Sequence, residues 1–366
     1  MRTVHRVVNM PTVNTSPSRL THLVQTEQEV LARLEQLAPG FKVLRSKKEK
    51  RRGDSRPDLV VHIRYGDRRK ALLLDVGASG EPAFLHKAIG RLHLASRRWP
   101  GSYPVVVAPY VSPRGREILR QSGVGFLDLA GNCLLEFDGV YIERTEATKP
   151  PAARRQQRAL FAPVSSRIHR VLLHNSDRRW KLRDLAQEAD VSLGLAHRVT
   201  QRLLAETFLE KEGPLLVLRD PLGLLDAWRG AYRYSINEIR TYHAPARTPG
   251  QLIRRIAEAG SRMSGRYALT LHAGASLVAP FVRFNDVHIY TEEPAEAWVG
   301  ALELRAVEFG GNFSLLAPYD PGVFYAAHEV DGAVVVSDVQ LYLDLYHYPA
   351  RGREQADFLR ERRLKF

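Results

Sequence analysis

Apolar residues recur at helical spacing in the first part of the chain, at Leu23, Val30, Leu31, Leu34 and Leu37, and Pro39-Gly40 closes that pattern. Short runs rich in aliphatic residues follow at Phe41–Leu44, Leu59–Arg64 and Ala71–Val76, and these predict strands. A helix is expected over Ala83–Arg97, then a Val-rich strand over Val105–Ala108 and a short helix opened by Ser112-Pro113 and running to Gln121. A strand at Val124–Leu127 comes next. A hairpin of Cys133–Phe137 with Val140–Glu143, turned at Asp138-Gly139, completes the set. The order helix, three strands, helix, strand, helix, strand, hairpin implies a mixed sheet flanked by helices.

From Ser165 to Asp220 the period is helical. Ile168, Val171 and Leu172 share one face of a first helix, and Leu182, Leu185, Ala186 and Ala189 share one face of a second. Asp190-Val191 makes a short turn, and Ser192 is a good N-cap for a third helix with Leu195, Val199, Leu203 and Leu204 inward. Two short strands, Phe208–Glu210 and Leu215–Arg219, then flank a tip at Lys211-Glu212-Gly213-Pro214. Beyond them, Leu222–Trp228 and Leu252–Ala259 read as helices, and Tyr267–Leu271, Val287–Thr291, Phe313–Leu316 and Ala333–Val336 as strands. Asp338–Tyr346 is a further helix, and Arg351–Phe366 a basic amphipathic one.

A chain of 366 residues, 44% hydrophobic, is long enough for several cores and too apolar to be disordered throughout. Its punctuation suggests the boundaries 1–148, a basic linker at 149–164, then 165–220 and 221–366, an α/β multidomain chain ending in an α+β domain. No apolar run approaches the ~18 residues of a membrane span, and the opening residues lack a secretory stretch. The single cysteine, Cys133, cannot form an intramolecular disulfide. A cytoplasmic protein with no membrane partner is the expectation.

Charge sharpens the picture. Lys plus Arg total 54 against 40 Asp plus Glu, a net charge of +14. Ten basic residues and one acid lie between Lys149 and Arg183, whereas Gly230–Ala350 carries nine Arg against thirteen acids. A polyanion-binding surface is therefore expected in the first 220 residues or so. The run Arg45–Arg56, with seven basic residues and two acids, reads as a solvated linker.

Asp58 begins one strand after Pro57, and Asp75 ends the next, with sixteen residues between them. This arrangement resembles the PD-(D/E)xK restriction-endonuclease-like fold. In that chemistry two carboxylates hold a divalent metal and a lysine two positions after the second helps the attacking water. Gly77 stands at that lysine position, and Lys87 on the next helix is the available substitute. A non-catalytic domain is the expectation; the enzyme alternative is a metal-dependent DNA nuclease using Asp58, Asp75 and Lys87. No cofactor and no resident metal are expected.

Residues 165–220 resemble a winged helix-turn-helix. In that geometry the third helix enters the major groove and its N-terminal residues reach base edges. By position, Ser192, Leu193, Gly194, His197, Arg198 and Gln201 are candidates for base contact, with Arg202 alongside. Arg178, Arg179, Lys181 and Arg183, with Lys211 at the wing tip, are candidates for phosphate contact.

The run Val336–Leu345, followed by Pro349-Ala350-Arg351-Gly352-Arg353, resembles the AbiEi-type antitoxins and related regulators of phage-defence systems over roughly the last 140 residues and the winged helix before them. The resemblance implies a repressor that binds duplex DNA, with a cognate toxin protein as a second partner. A homodimer on a palindromic site would suit such a regulator. Gly274-Ala275-Ser276 and Asp286-Val287-His288 loosely match a nucleotidyltransferase frame, with His288 in place of the second metal-binding acid, so a non-catalytic remnant or packing domain is expected there. The functional expectation is a sequence-specific DNA-binding transcriptional regulator or antitoxin-like repressor tied to defence or mobile elements.

Overall fold

The computed structural model describes residues 27–36, 40–48, 56–145, 155 and 158–366. The chain is mixed α/β and divides into two compact units, one of residues 1–156 with 205–207, the other of 157–204 with 208–366. Within the expected linker 149–164, residues 149–154, 156 and 157 lie outside the described residues, as do Leu23 and Leu37 of the first expected helix.

The first unit is a seven-stranded sheet in sequential order. Its elements are α1 (Glu27–Glu35), β1 (Phe41–Lys48), β2 (Leu59–Tyr65), β3 (Arg68–Val76), α2 (Pro82–Ser96), β4 (Tyr103–Ala108), α3 (Pro113–Gln121), β5 (Gly125–Asp128), β6 (Cys133–Phe137) and β7 (Val140–Arg144). β3, β4 and β5 run parallel, and the other neighbours are antiparallel. The alternation of side chains splits the core between two faces. Val30 and Leu34 of α1 pack with Phe41, Val61, Ile63 and Leu72 on one side. Leu85, Ala88 and Leu92 of α2, with Leu119 of α3, pack on Val60, Leu73 and Val106 on the other. The last turn closes on Asp138 and Gly139, both at positive φ (46° and 77°), the backbone a two-residue hairpin needs to match the strand twist.

β1 is longer than the apolar pattern suggested. It runs on to Lys48, so Arg45 to Lys48 are strand residues and not solvated linker. They had looked like linker because a one-residue shift in pairing between Val43 and Arg45 breaks the apolar alternation just where the basic run begins.

The second unit begins with α4 (Pro163–His174), α5 (Leu182–Glu188), α6 (Leu193–Ala205) and the hairpin β8 (Leu209–Glu212) with β9 (Leu215–Leu218). After these come α7 (Pro221–Ala231), β10 (Glu238–His243), α8 (Pro249–Gly260), β11 (Tyr267–Thr270), α9 (Leu271–Val278), β12 (Val287–Thr291), α10 (Ala295–Leu302), β13 (Arg305–Ala306), β14 (Phe313–Ala317), β15 (His328–Val330), β16 (Ala333–Val335), α11 (Asp338–Tyr346) and α12 (Gly352–Arg363). The strands from β10 onward form a second seven-stranded sheet, ordered β13-β10-β14-β12-β11-β16-β15. The expected second helix from Trp180 starts two residues later, because Trp180 forms a β-bridge to Leu216 instead.

The three helices do not keep a core to themselves. Ile168, Val171, Leu185, Val199 and Leu203 belong to one continuous apolar cluster with Trp228, Leu252, Leu269 and Tyr342. Arg170 of α4 is buried in the same interior. Its guanidinium donates to Ser166 Oγ (2.6 Å), Tyr319 OH (2.9 Å) and Gln340 Oε1 (2.6 Å), and lies 4.8 Å from the Trp228 ring centroid. Gln340 Nε2 in turn donates to Asp344 Oδ1 (2.9 Å) and to Tyr232 OH (3.0 Å). Asp344, fully buried, also accepts from Thr270 Oγ1 (2.6 Å), Tyr232 OH (2.6 Å) and Tyr290 OH (3.0 Å). Four donors make the buried carboxyl tolerable.

Burial pushes the Asp344 carboxyl up to about 6 against an ordinary value of 3.8, with its four hydrogen bonds pulling the other way. The folded state therefore holds this proton over a range where the unfolded chain has released it. The stabilisation is complete below about pH 4 and is lost as pH rises through about 6, and the span of the shift corresponds to roughly 3 kcal/mol. Urea unfolding of the wild type and of Asp344→Asn should diverge accordingly: between pH 4 and pH 7 the wild type loses roughly 3 kcal/mol relative to the variant. A pH-independent difference would contradict the assignment.

Candidate nucleic-acid interface

α6 owes its start and the identity of its exposed face to its own sequence. Ser192 Oγ accepts from the Leu195 backbone N–H (3.3 Å) at the helix start. Ala196, Val199, Thr200 and Leu203 then fall on the buried face. The same period sends His197, Arg198 and Gln201 to the solvent side, together with Ser192, Leu193 and Gly194 at the first turn. Leu193 keeps 49% of its surface exposed, which is unusual for a leucine at a helix start next to a core. The Arg198 guanidinium folds back over Gly194, and a Cβ there would lie 3.7 Å from Arg198 Nη1. Arg202 is half-buried, on the border between the two faces. Thirteen residues give α6 a length of about 20 Å, and its exposed face is narrow enough for a groove about 12 Å wide.

Beside α6 stands a three-stranded wing. β8 pairs antiparallel with β9, and Trp180 adds a third backbone by exchanging hydrogen bonds with Leu216 (2.9 and 2.8 Å). Lys211 and Glu212 belong to β8, so the tip is shorter than expected and holds Gly213 and Pro214; Lys211 itself is exposed. Arg178 lies over the Trp180 ring, 3.8 Å from its centroid, a stacking that fixes the guanidinium without neutralising it. Lys181 and Arg183 are exposed around the start of α5. Arg179 differs from them: it pairs with Glu212 of the wing at 3.1 Å. Glu212 is shared with Arg219, which also binds Glu210 at 2.8 Å, so the wing holds an alternating charge network. Sequence reading missed Arg219, whose acidic partners lie seven and nine residues upstream across a hairpin.

The charge count between Lys149 and Arg183 overstated the exposed cation density. Arg170 is interior, and Arg167 is turned inward too, donating to both oxygens of Asp320 (2.9 and 3.0 Å) and to Asp190 Oδ2 (2.8 Å). These two arginines build the unit; Arg178, Lys181 and Arg183 remain exposed.

In the first unit the two acids do meet. Antiparallel pairing of Leu59 with Leu74 brings Asp58 level with the end of β3, where its Oδ2 accepts from the Val76 N–H (2.8 Å). Asp75 is buried, and both of its oxygens are taken by Arg91, through Nε (2.7 Å) and Nη2 (2.8 Å). Lys87, the expected substitute, is exposed one turn before Arg91 on α2. Gly77 is buried under Phe84, and any side chain at that position would collide with the Phe84 ring. Arg91 already neutralises Asp75 through a hydrogen bond to each oxygen, so a divalent cation there would have to displace a buried ion pair. No group of three His, Cys, Asp or Glu side chains suited to a metal occurs among the described residues. The residues at this place do not fit the two-carboxylate metal site.

The nucleotidyltransferase-like positions are likewise packed. A side chain at Gly274 would strike Leu341 and the Leu269 carbonyl, and His288 is buried beside Tyr348, where desolvation pushes its pKa down to about 4.

No family model and no curated protein sequence matches the chain. Among solved structures it is similar to EndoMS in apo form, at 20% identity over 32% of this chain and 48% of that one, with a TM-score of 0.20. It is similar to the same extent to the EndoMS-dsDNA2 complex, at 20% identity over 34% of this chain and 50% of that one, again at 0.20. The chain thus spans about half the length of either, and a superposition this slight fixes neither fold nor function. No helix among the described residues is long and apolar enough to cross a membrane.

Replacing Arg91 by Met leaves the Asp75 carboxylate buried without its ion partner, and should cost about 3–5 kcal/mol in urea unfolding. Adding Asp75→Leu should recover most of that loss, because the uncompensated charge disappears with it. A single Arg91→Met change within ~0.5 kcal/mol of wild type would contradict the pairing.

Proposed function

We propose that this chain is a sequence-specific double-stranded DNA-binding protein, acting as a transcriptional regulator or antitoxin-like repressor in a defence or mobile-element setting. The observation that carries the reading is the solvent face of α6. Ser192, Leu193, Gly194, His197, Arg198 and Gln201 present donors, acceptors and one apolar contact along one side of a helix whose other side is core. That combination matches what base edges offer in a major groove, where Arg and Gln reach purines and apolar groups meet the thymine methyl. Lys181, Arg183 and the Trp180-backed Arg178 would hold phosphates on either side and set the register. Catalysis is left out of the proposal, because Arg91 and Phe84 stand where a metal and a lysine would act. A homodimer on a palindromic site and a cognate toxin as protein partner extend the proposal, and both await the same operator.

Selection of bound duplexes from a random pool tests it directly. Wild-type protein should enrich a motif, and Arg198→Ala should relax the preference at one or two positions, at about 1–3 kcal/mol per lost base contact. Lys181→Ala and Arg183→Ala should weaken all duplexes alike and lower the magnitude of the salt slope by about 0.9 each. Arg179→Ala should do less, since Glu212 already offsets its charge. Equal loss of preference in all four variants would contradict this division of labour.

A further inference from the structure

We infer that the open end of the β1–β3 face in the first unit is a second, sequence-independent contact for the phosphate backbone of duplex DNA. This rests on the DNA-binding reading for its choice of polyanion, and on the strand register for its existence. Lys42, Arg64 and Arg69 lie directly across from one another on three adjacent strands. The next row on the same face pairs Arg45 with His62, and the row after it begins with Lys47 opposite Val60. All six charged or ionisable side chains, Lys42, Arg45, Lys47, His62, Arg64 and Arg69, are exposed, and the acid in a β1–β3 strand position on this face, Asp75, is buried beneath α2 and bound by Arg91.

A register irregularity makes the cluster. Strict alternation would put Arg45 on the opposite face from Lys42, toward α1. Between Val43 and Arg45 the pairing shifts by one residue, with Leu44 as the extra member. The bulge turns Arg45 and Lys47 to the side of Lys42 and sends Ser46 the other way. The turn of phase therefore concentrates positive charge on one surface. Like charges directly opposite each other destabilise a sheet, so this arrangement works against folding unless an anion is there to meet it.

The location suits a large partner. α2 and α3 cover Val60 and Leu73 on this face, and the strands run on beyond that cover to the His62 and Arg64 rows. β4 pairs with β3 only from Leu72 onward, so the Arg69 end also lacks a β4 neighbour. Three strands about 4.8 Å apart and rows about 7 Å apart give a cationic plate on the scale of a duplex backbone. No aromatic side chain lies on the exposed part of this face, since Phe41 and Tyr65 point to the other one. That argues against single strands, which such sites hold by base stacking, and against a bilayer, which needs an apolar or aromatic anchor.

The test uses the full-length chain carrying Arg45→Gln, Arg64→Gln and Arg69→Gln, with binding to a mixed-sequence duplex measured from about 50 to about 200 mM salt. The slope of log affinity against log salt should fall in magnitude by about 2–3, and Arg64→Gln alone should lower it by about 0.9. Motif preference in the random-pool selection should be unchanged. Melting temperature at low salt should equal or exceed wild type, as the opposed charges are gone. An unchanged slope in a folded triple variant overturns the inference, even if Arg198→Ala still relaxes base preference. A reduced slope with no base preference in the wild type upholds this surface and removes the α6 reading instead. Loss of binding to phosphatidylserine vesicles with an unchanged duplex slope also overturns it, in favour of a membrane surface.

Discussion

A single arginine in the interior of the second unit holds the rest of that unit in register. Taking a guanidinium out of water costs several kcal/mol even after relaxation, and the cost is offset only where the surroundings supply acceptors of good geometry. Arg170 has Ser166 one turn back on its own helix, Tyr319 after β14, Gln340 on α11 and the face of Trp228 on α7. Gln340 passes the constraint to Asp344, which gathers Thr270, Tyr232 and Tyr290. Elements separated by up to 170 residues are thereby fixed by groups that pair in one arrangement only.

The consequence reaches the surface through α4. Its inward face carries Arg170 and the apolar residues Ile168, Val171 and Leu172, and at its edge Arg167 grips Asp320 and the turn residue Asp190. α5 packs on α4, and Arg167 of α4 holds Asp190 in the turn that leads into α6, so the start of α6 is tied to the same helix that carries the polar network. A helix held on a rigid base loses little entropy when it meets a partner. The same logic explains why α4–α6 share a core with the sheet that follows: the three helices alone would leave α4's charged face without partners.

Much of this was legible from local pattern. The helices and strands whose apolar positions alternate cleanly, such as α6, α11, β2 and the β6–β7 hairpin, fall where periodicity and the Asp138-Gly139 turn put them. The outward set of α6 follows from Ser192 as cap and a period of 3.6. What was not legible depends on distant partners. Nothing within a dozen residues of Arg170 announces Tyr319 or Gln340, so a buried arginine was counted as surface charge. Arg91 was overlooked beside Lys87 because only the fold brings it against Asp75. The basic end of β1 read as linker because its one-residue bulge breaks the alternation by which a strand is recognised.

The central claim, that α6 lies in the major groove, can be tested by tethering. Cys133 is fully buried and its thiol is pushed up to about 11 by desolvation, so a cysteine introduced on the surface would be the reactive one. His197→Cys should form a disulfide with a duplex of the selected motif carrying a thiol tether on a major-groove base edge, and an identical cysteine at Glu258, exposed on α8, should not. Cross-linking equally efficient from both positions, or confined to Glu258→Cys, would contradict the account.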